Sequence, residues 1–360
     1  MKICFILDET WDSALTDFGL KSAKVLSKKY DVIVGAIKRS FAFKEAREKN
    51  LETFDILPLR GNVFSSLKGF LFLKGKLSSI RPDVVVSIRG EAFLFSYILR
   101  KKLGFHPIRI YGEDKNWHFS LHNLIYRDCS LIFTSYKLWK RSPFKNREVT
   151  IIRGMVENGF GFKKEGMVLR KKMDIEDEVV FGAVGRWDKV KGYPILIDAF
   201  YRLNKELPET RLFIVGEKKG GNVEGIMEKI HRYGLKNKIF LDFERKRDIS
   251  VFMSAVDVGV ISSTSSEVIA RVPLEFMAVG KPIVTTNVGV LPEIVKNSFG
   301  LIAKPDAESL YQKMKEITRM DLKQMGKNAR KEIEQNYSPS VFLSHWEKNI
   351  PSGLPQNFTD

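Results

Sequence analysis

Two cations in one loop have the right type and spacing to hold a phosphorylated substrate. In "FGAVGRWDKVKGYPILIDAF", a buried strand pattern ends at Gly185, Arg186 and Lys191 follow in a loop, and Pro194 marks the first turn of a helix. Free amides, the positive end of the helix dipole and two cationic side chains favour a diphosphate without help from a metal. The alternative is that Arg186 and Lys191 are solvated loop residues.

Two glutamates, Glu267 and Glu275, lie on either side of a proline in "SSEVIARVPLEFMAVG". The preceding "DVGVIS" predicts a strand, "SSTSSE" the loop at its carboxyl end, and "PLEFMAVG" a helix of about two turns between proline and glycine. Glu267 is therefore expected in the loop and Glu275 in the first turn, both near the cationic loop. As alternatives, Glu275 only complements the helix dipole, and Glu267 only caps nearby amides.

Strand-like and helical segments alternate in both halves of the 360 residues, which are enough for two domains. The first half contains "KICFIL", "DVIVGAI", "DVVVSI" and "SLIFTS", and the pattern begins again with "VVFGAVG" and "RLFIVG". This alternation predicts an α/β protein with two doubly wound parallel sheets of the Rossmann type. Such sheets bind ligands beyond the carboxyl ends of their strands, and we expect the boundary near residues 158–177.

The composition excludes several classes of protein. Hydrophobic content of 44% and charged content of 29% are ordinary for a globular chain, which argues against disorder. The start "MKICFILDE" predicts a first strand and not a signal peptide, and no apolar window is long enough for a membrane span. Cys4 and Cys129 form neither a metal spacing nor a disulfide framework, so we expect a cytoplasmic protein.

The charge is one-sided. Residues 1–165 hold 30 Lys and Arg against 17 Asp and Glu, so that +13 of the net charge of +17 lies in this half. Within it, residues 63–81, "VFSSLKGFLFLKGKLSSIR", combine aromatic and aliphatic residues with lysines. Such a helix can lie in the interface of an anionic membrane, or it can pack on the sheet as an ordinary crossover helix, and both can hold.

Several motifs together resemble one family. The loop "GRWDKVKG", the two glutamates spaced E-x7-E, and "EFMAVGKPIVTTNVGVLPEIV" are similar to the retaining glycosyltransferases of the GT-B fold, family 4, also called glycosyl transferases group 1. The resemblance covers residues 179–348. It implies an acceptor-binding domain at 1–165 and a nucleotide-sugar-binding domain at 166–336 that face a central cleft. A C-terminal helix at about 337–350 is expected to pack back on the first domain.

The resemblance also implies roles for single residues. Arg186 and Lys191 match the pair that holds the donor diphosphate and neutralises its departing charge. Glu275 matches the glutamate that binds the ribose hydroxyls, and Glu267 the glutamate beside the donor sugar. The reaction then needs no protein nucleophile, no cofactor and no metal. The donor-binding set is completed by residues next to these: Gly185, Val268, Ile269 and Arg271.

This chain departs from the family at two places. Glycines commonly follow the first glutamate, whereas "VIAR" stands here, and Arg271 either adds a third cation or pairs with a neighbouring carboxylate. In the first half only Gly19, expected just before a helix, is available for a glycine loop near phosphate and acceptor. The acceptor-side candidates are three polar residues after a middle strand, Glu113, Asp114 and His118, for which a structural or solvated role is the alternative.

The favoured hypothesis is a glycosyltransferase that uses a nucleotide sugar and extends a cell-envelope glycan or lipid-linked acceptor, as in lipopolysaccharide or polysaccharide biosynthesis. Its expected location is the cytoplasmic face of the membrane, as a peripheral protein. The first alternative is a sugar-nucleotide epimerase, which shares the GT-B architecture. The second is a non-catalytic anion-binding module. No nucleic-acid-binding motif is present, so no nucleic acid partner is expected.

Overall fold

In the computed structural model the chain forms two compact units, each built on its own sheet. Unit 1 comprises Met1–Gly154 together with Pro339–Asp360, and unit 2 comprises Met155–Ser338. The structure describes residues 1–113, 128–218, 220, 223–244, 246 and 248–351.

Unit 1 contains a parallel sheet with the strand order β3-β2-β1-β4-β5-β6-β7. Its strands are β1 (Lys2–Leu7), β2 (Asp31–Ile37), β3 (Glu52–Ile56), β4 (Val84–Ser87), β5 (His106–Tyr111), β6 (Ser130–Phe133) and β7 (Thr150–Ile151). Its described helices before residue 154 are α1 (Ala14–Leu26), α2 (Phe41–Glu48), α3 (Val63–Ile80), α4 (Gly90–Leu103) and α5 (Tyr136–Arg141). The order reverses between β1 and β4, where Ile3 pairs with Val32 on one side and Val84 on the other. Parallel sheets of this kind bind ligands at that reversal.

Unit 2 contains a second parallel sheet, with the order β10-β9-β8-β11-β12-β13. Its strands are β8 (Val179–Val184), β9 (Thr210–Val215), β10 (Ile239–Asp242), β11 (Val258–Ile261), β12 (Ile283–Thr286) and β13 (Gly300–Ala303). Its described helices are α6 (Glu165–Lys172), α7 (Tyr193–Glu206), α8 (Val223–Arg232), α9 (Ile249–Ala255), α10 (Arg271–Ala278), α11 (Leu291–Ile294), α12 (Ala307–Ile317) and α13 (Leu322–Asn336). The two sheets confirm the predicted pair of Rossmann-like domains.

Both faces of the second sheet are covered by helices. Neighbouring side chains of a strand point to opposite faces, and Val180 and Phe181 accordingly belong to different core clusters although both are fully buried. Phe200 of α7 packs in the cluster with Phe181, and Phe276 of α10 packs in the cluster with Val180. This double burial explains why the strands read as continuous apolar runs in the sequence.

The last described helix, α14 (Pro339–Glu347), belongs to unit 1. The Trp346 ring meets the Phe5 ring edge to face, with centroids 5.8 Å apart, and Phe342 meets Phe18 in the same way at 5.5 Å. The sequence places the domain boundary at residue 165, whereas the structure places it after Gly154. The difference arises because Val156 packs in the core of unit 2 and its amide donates to the Tyr337 carbonyl at 3.0 Å.

Helix α3 has one face on the sheet and one face in solvent. Leu73 and Leu77 are fully buried, and the Phe70 ring meets the Phe95 ring with centroids 5.2 Å apart. The opposite face exposes four apolar side chains, Val63, Phe64, Leu67 and Leu71. Among the described helices, none is both long and apolar enough to span a bilayer.

Replacing Trp346 tests how α14 stabilises unit 1. The Trp346→Ala variant should lose about 3–5 kcal/mol of unfolding free energy, because a fully buried indole leaves a cavity against Phe5. Denaturant unfolding and hydrogen exchange of the β1 amides measure the change. The exposed Lys348→Ala, in the turn that directly follows α14, is the control and should leave both unchanged. Equal stability of the two variants would contradict the packing described for α14.

Candidate active site

The loop after β8 is organised by Asp188. One carboxylate oxygen of Asp188 accepts the Lys191 amide at 3.2 Å, and the other lies 3.3 Å from an Arg186 guanidinium nitrogen. The capped segment Lys189–Lys191 is a single turn of 3₁₀ helix, which ends at Gly192 with φ of +67°. A Cβ at Gly192 would lie 2.0 Å from the Ser262 carbonyl oxygen, so only glycine allows this approach. The loop therefore lies directly against the segment after β11.

The predicted diphosphate cation and sugar-facing glutamate are in contact. Lys191 Nζ donates to Glu267 Oε1 at 2.6 Å, and Ser263 Oγ donates to the same oxygen at 2.5 Å. Ser262 Oγ also donates to the Lys191 carbonyl at 2.8 Å, which ties the two loops together. The Glu267 side chain is only 7% exposed, so its charge is held by specific partners and not by bulk water.

The backbone of Glu267 is fixed from the other side by the loop after β12. The Val290 amide donates to the Glu267 carbonyl at 2.7 Å. Gly289 has φ of +58°, and a Cβ there would lie 1.8 Å from the same carbonyl oxygen. A side chain at Gly289 would therefore push Glu267 out of place. Thr286 Oγ1 adds a bond to the Ser263 carbonyl at 2.6 Å.

Tyr193 is hydrogen-bonded to the start of the loop after β8. Its hydroxyl donates to the Gly185 carbonyl at 2.8 Å. Burial, followed by the negative charges of Asp188 and Glu267, raises the pKa of Tyr193. The phenol therefore stays protonated and keeps donating to Gly185 at the end of β8.

Glu275 lies in the second turn of α10, not in the first turn as the sequence predicted. The helix begins at Arg271, two residues before Pro273. A proline is compatible with any position of a first turn, because amides there have no partner within the helix. The Glu275 side chain is 16% exposed and lies 3.8 Å from the Arg271 guanidinium. The structure shows the ion pair that was one interpretation of Arg271, and its predicted role in donor binding remains a prediction.

The glycine-free segment between the glutamates turns largely inward. Ile269 is 7% exposed and Ala270 packs in the core of unit 2, whereas Val268 is half-buried. Ser266, just before Glu267, has φ of +61° in the left-handed region. The roles predicted for Val268 and Ile269 in donor binding remain predictions.

In unit 1, Gly19 does not form the predicted glycine loop. This residue lies inside α1 and not before it, so the expected placement was wrong. A Cβ at Gly19 would lie 2.7 Å from a Leu7 methyl and 3.3 Å from an Ile88 methyl. The glycine therefore serves close packing of α1 on the ends of β1 and β4.

Charged residues collect instead near the carboxyl ends of β1, β4 and β5. We call Asp8, Glu9, Arg89 and Glu113, together with Arg109 inside β5, the strand-end cluster. Arg89 forms ion pairs with both Glu9 and Glu113. Two buried atoms, Asp8 Oδ1 and Arg109 Nη1, have no hydrogen-bond partner within the described chain. Among the acceptor-side candidates, Glu113 lies in this cluster, whereas Asp114 and His118 lie outside the described residues.

Sequence reasoning missed the residues that position these groups. Asp188 stands three residues before Lys191, which is the spacing of a side-chain cap, and Ser263 belongs to the serine run before Glu267. In the first half, "DE" directly follows the β1 pattern and "RGE" the β4 pattern. Polar residues after two neighbouring strands are a usable signal, because parallel strand ends meet at one edge.

Comparisons with known proteins show which proteins this chain is similar to. Residues 168–332 match the family described as glycosyl transferases group 1. Spore coat protein SA of Bacillus subtilis (strain 168) is 30% identical over 50% of this chain and 52% of its own length. The capsular polysaccharide biosynthesis glycosyltransferase CapM of Staphylococcus aureus is 23% identical over 85% of this chain and 86% of its own length. For several of the other curated relatives, the match likewise spans about half of their length.

Solved structures extend the likeness to both units. Anabaena Alr3699/HepE in complex with UDP has a TM-score of 0.84 and 18% identity, covering 97% of this chain and 99% of its own. The same protein in complex with UDP-glucose has a TM-score of 0.78 and 20% identity, with 97% and 99% coverage. At such identities the likeness shows the fold. Residues 168–332 are thus similar to the glycosyl transferases of group 1, and the fold of the chain is GT-B.

Proposed function

We propose that this chain is a retaining, metal-independent glycosyltransferase that moves a sugar from a nucleoside-diphosphate sugar to a cell-envelope glycan or glycolipid. The observation that carries the proposal is the contact between Lys191 and Glu267 at 2.6 Å, at the carboxyl edge of the unit 2 sheet. It places a cation suited to a leaving diphosphate beside a carboxylate suited to a sugar. The match of residues 168–332 to the group 1 family supports the reaction class.

The donor is bound at the edge where β8 and β11 end. Lys191 and the more exposed Arg186, whose side chain is 48% exposed, neutralise the diphosphate as its bond to the sugar breaks. Glu275 accepts hydrogen bonds from the ribose, and Glu267 from the sugar hydroxyls. The UDP and UDP-glucose complexes of HepE, which has the same fold, support a nucleoside-diphosphate sugar as the donor class.

The proposed transfer takes place on one face of the sugar. The bond between the anomeric carbon and the diphosphate oxygen breaks, and a bond from that carbon to an acceptor oxygen forms. The acceptor proton passes to the leaving diphosphate, so that no protein nucleophile takes part. Lys191 and Arg186 act electrostatically, because their charges are in place before the negative charge develops.

The acceptor is proposed to bind in unit 1 at the strand-end cluster. Glu113 is the described candidate, and Asp114 and His118 follow it in the sequence. Burial raises the pKa of Asp8 to about 7, against the opposing effect of Arg109 and Arg89. A carboxyl group that is partly protonated near neutral pH can both donate to and accept from an acceptor hydroxyl.

A peripheral membrane location is proposed on the basis of α3. Its exposed apolar face is flanked by exposed cations, Arg60 and Lys68, in the half of the chain that holds most of the positive charge. An apolar stripe with flanking cations suits the interface of an anionic membrane. The similarity to CapM, named for capsular polysaccharide biosynthesis, supports an envelope acceptor. The membrane face proposed is the cytoplasmic one.

Variants of the two glutamates test the donor site. Glu275→Ala should weaken binding of the free nucleotide by roughly ten-fold or more, because hydrogen bonds to a charged group are lost. Glu267→Gln should leave nucleotide affinity nearly unchanged and lower kcat, since the amide can still accept from Lys191 and Ser263. Calorimetry with UDP, GDP and ADP and their sugars, together with turnover assays, measures both effects.

The control for the glutamate variants is Glu228→Ala on the solvent side of α8, which should behave as the wild type. Equal loss of nucleotide affinity in Glu275→Ala and Glu267→Gln would show that the two roles are misassigned. The transferase proposal fails if the wild type binds no nucleotide and no nucleotide sugar.

The buried carboxyl of Asp8 predicts a pH-dependent stability. Its pKa is raised to about 7 in the folded chain, so the folded state holds a proton that the unfolded state has released above about pH 4. Stability from this group therefore falls as pH rises from about 4 to about 7 and then levels off. Asp8→Asn should remove that slope, and urea unfolding across this range measures it. Asp31→Asn, at a side chain that is 54% exposed, is the control; an unchanged slope in Asp8→Asn would contradict the assignment.

Vesicle binding tests the role of α3. The double variant Phe64→Ser and Leu67→Ser should bind vesicles containing phosphatidylglycerol at least about ten-fold more weakly, because two exposed apolar anchors are removed. Co-sedimentation measures the affinity. Met227→Ser, at another exposed apolar residue, is the control and should bind like the wild type. Binding that does not respond to the double variant or to salt would remove α3 as the contact.

A further inference from the structure

Unit 2 contains a cavity of about 750 Å³ at the edge of the sheet opposite the candidate active site. Asp257 and Pro282, which line it, directly precede β11 and β12, whereas Ser262 and Glu267 follow the carboxyl end of β11. The cavity and the active site are therefore separated by the length of a strand. Its volume is within the range of sites for small ligands.

One wall of the cavity is a row of lysines on α13. Lys323, Lys327 and Lys331 stand four residues apart, so they share one face of the helix, and all three are exposed. The helix is held in place by Arg330, whose guanidinium donates to the Ala278 carbonyl at the end of α10 at 2.5 Å. The three lysines therefore lie beside the cavity on a helix that is anchored to the end of α10.

A fourth lysine, Lys281, lines the cavity from the sheet side, and its side chain is half-buried. Burial lowers the pKa of Lys281. Its described contact is with the Phe162 ring, with Nζ 5.7 Å from the centroid. A cation in such a place is costly without a counter-charge.

The carboxylates that line the cavity are already engaged. Asp257 accepts from an Arg170 guanidinium at 2.7 Å and from the Val180 amide at 2.9 Å. Glu334 accepts from Arg330 at 2.8 Å. Within the described chain, no carboxylate lies within ion-pair distance of the four lysines, Lys281, Lys323, Lys327 and Lys331. The lining of the cavity thus carries a net positive charge, which the negative charge of Asp257 offsets only in part.

We propose that this cavity is a second anion site, which takes a phosphate-bearing ligand with an apolar part beside the phosphate. Lys281 and the α13 lysines would hold the phosphate, and Phe162, Val279 and Leu322 would contact the apolar part. The phosphate can belong to a soluble phosphorylated metabolite or to a phospholipid headgroup. The proposal concerns a different site from the donor site and does not depend on the function proposed above.

Calorimetric titration with inorganic pyrophosphate tests the proposal. In a Lys191→Ala background, which weakens the donor site, the double variant Lys327→Gln and Lys331→Gln should weaken pyrophosphate binding about ten-fold or more, as expected for the loss of two charged contacts. Lys191→Ala, in the candidate donor site, should retain the binding at the cavity. The control is the pair Lys172→Gln and Lys236→Gln, which removes the same charge from exposed residues of unit 2 that do not line the cavity. Thermal unfolding of each variant checks that it folds.

A vesicle experiment distinguishes the two sources of phosphate. It uses the Phe64→Ser and Leu67→Ser background, so that α3 does not contribute, and vesicles containing phosphatidylglycerol. Vesicle binding that the α13 variant abolishes assigns the site to a lipid headgroup, and pyrophosphate binding without vesicle binding assigns it to a soluble ligand. The proposal is overturned if the α13 variant binds pyrophosphate and vesicles as tightly as its parent, or if the parent binds neither.

Discussion

The contact between Lys191 and Glu267 is the constraint on which the rest of unit 2 depends. It joins two loops that are far apart in the sequence, and it holds a cation and a carboxylate where both are only partly solvated. That geometry requires the loops to touch through their backbones. Gly192 against the Ser262 carbonyl and Gly289 against the Glu267 carbonyl provide that approach, and neither position has room for a Cβ. The parallel sheet supplies the remaining condition, because β8 and β11 are neighbours and end at the same edge.

The contact also sets a requirement for the proposed reaction. A diphosphate that binds at Lys191 competes with Glu267 for the same ammonium group. The competition is tolerable because Ser263 remains hydrogen-bonded to the Glu267 carboxylate, and because sugar hydroxyls would add further donors. Glu267 thereby keeps its charge satisfied when Lys191 turns toward the phosphate. In unit 1, Arg89 forms ion pairs with both Glu9 and Glu113. Burial raises the pKa of Asp8, so that a smaller fraction of this carboxyl group is charged.

Much of this arrangement could be predicted from the sequence. Alternating apolar strands and amphipathic helices indicated the two sheets, and the spacing of Arg186, Lys191, Glu267 and Glu275 indicated one edge of the second sheet. The sequence could not show in which turn of α10 Glu275 lies, because a proline fits several positions of a first helical turn. Gly19 was misplaced because a glycine is typical both of a flexible loop and of a close packing contact, and the sequence alone does not distinguish the two. The strand-end cluster depends on which strands are neighbours, and that order is a long-range property.

The two edges of the unit 2 sheet show why net charge alone is a poor guide to binding. The second half of the sequence is much closer to electrical neutrality than the first, yet its charges are not evenly paired. At the carboxyl edge, Lys191 pairs with Glu267 and Arg186 pairs with Asp188. An anion that binds there must therefore replace a carboxylate as the partner of the cation. At the opposite edge, Lys281 is half-buried, and within the described chain no carboxylate lies within ion-pair distance of it, although the charge of Asp257 acts on it from farther away. An anion at that edge would therefore displace no internal ion pair of Lys281, and its binding would be governed by the gain in neutralising a partly desolvated ammonium group.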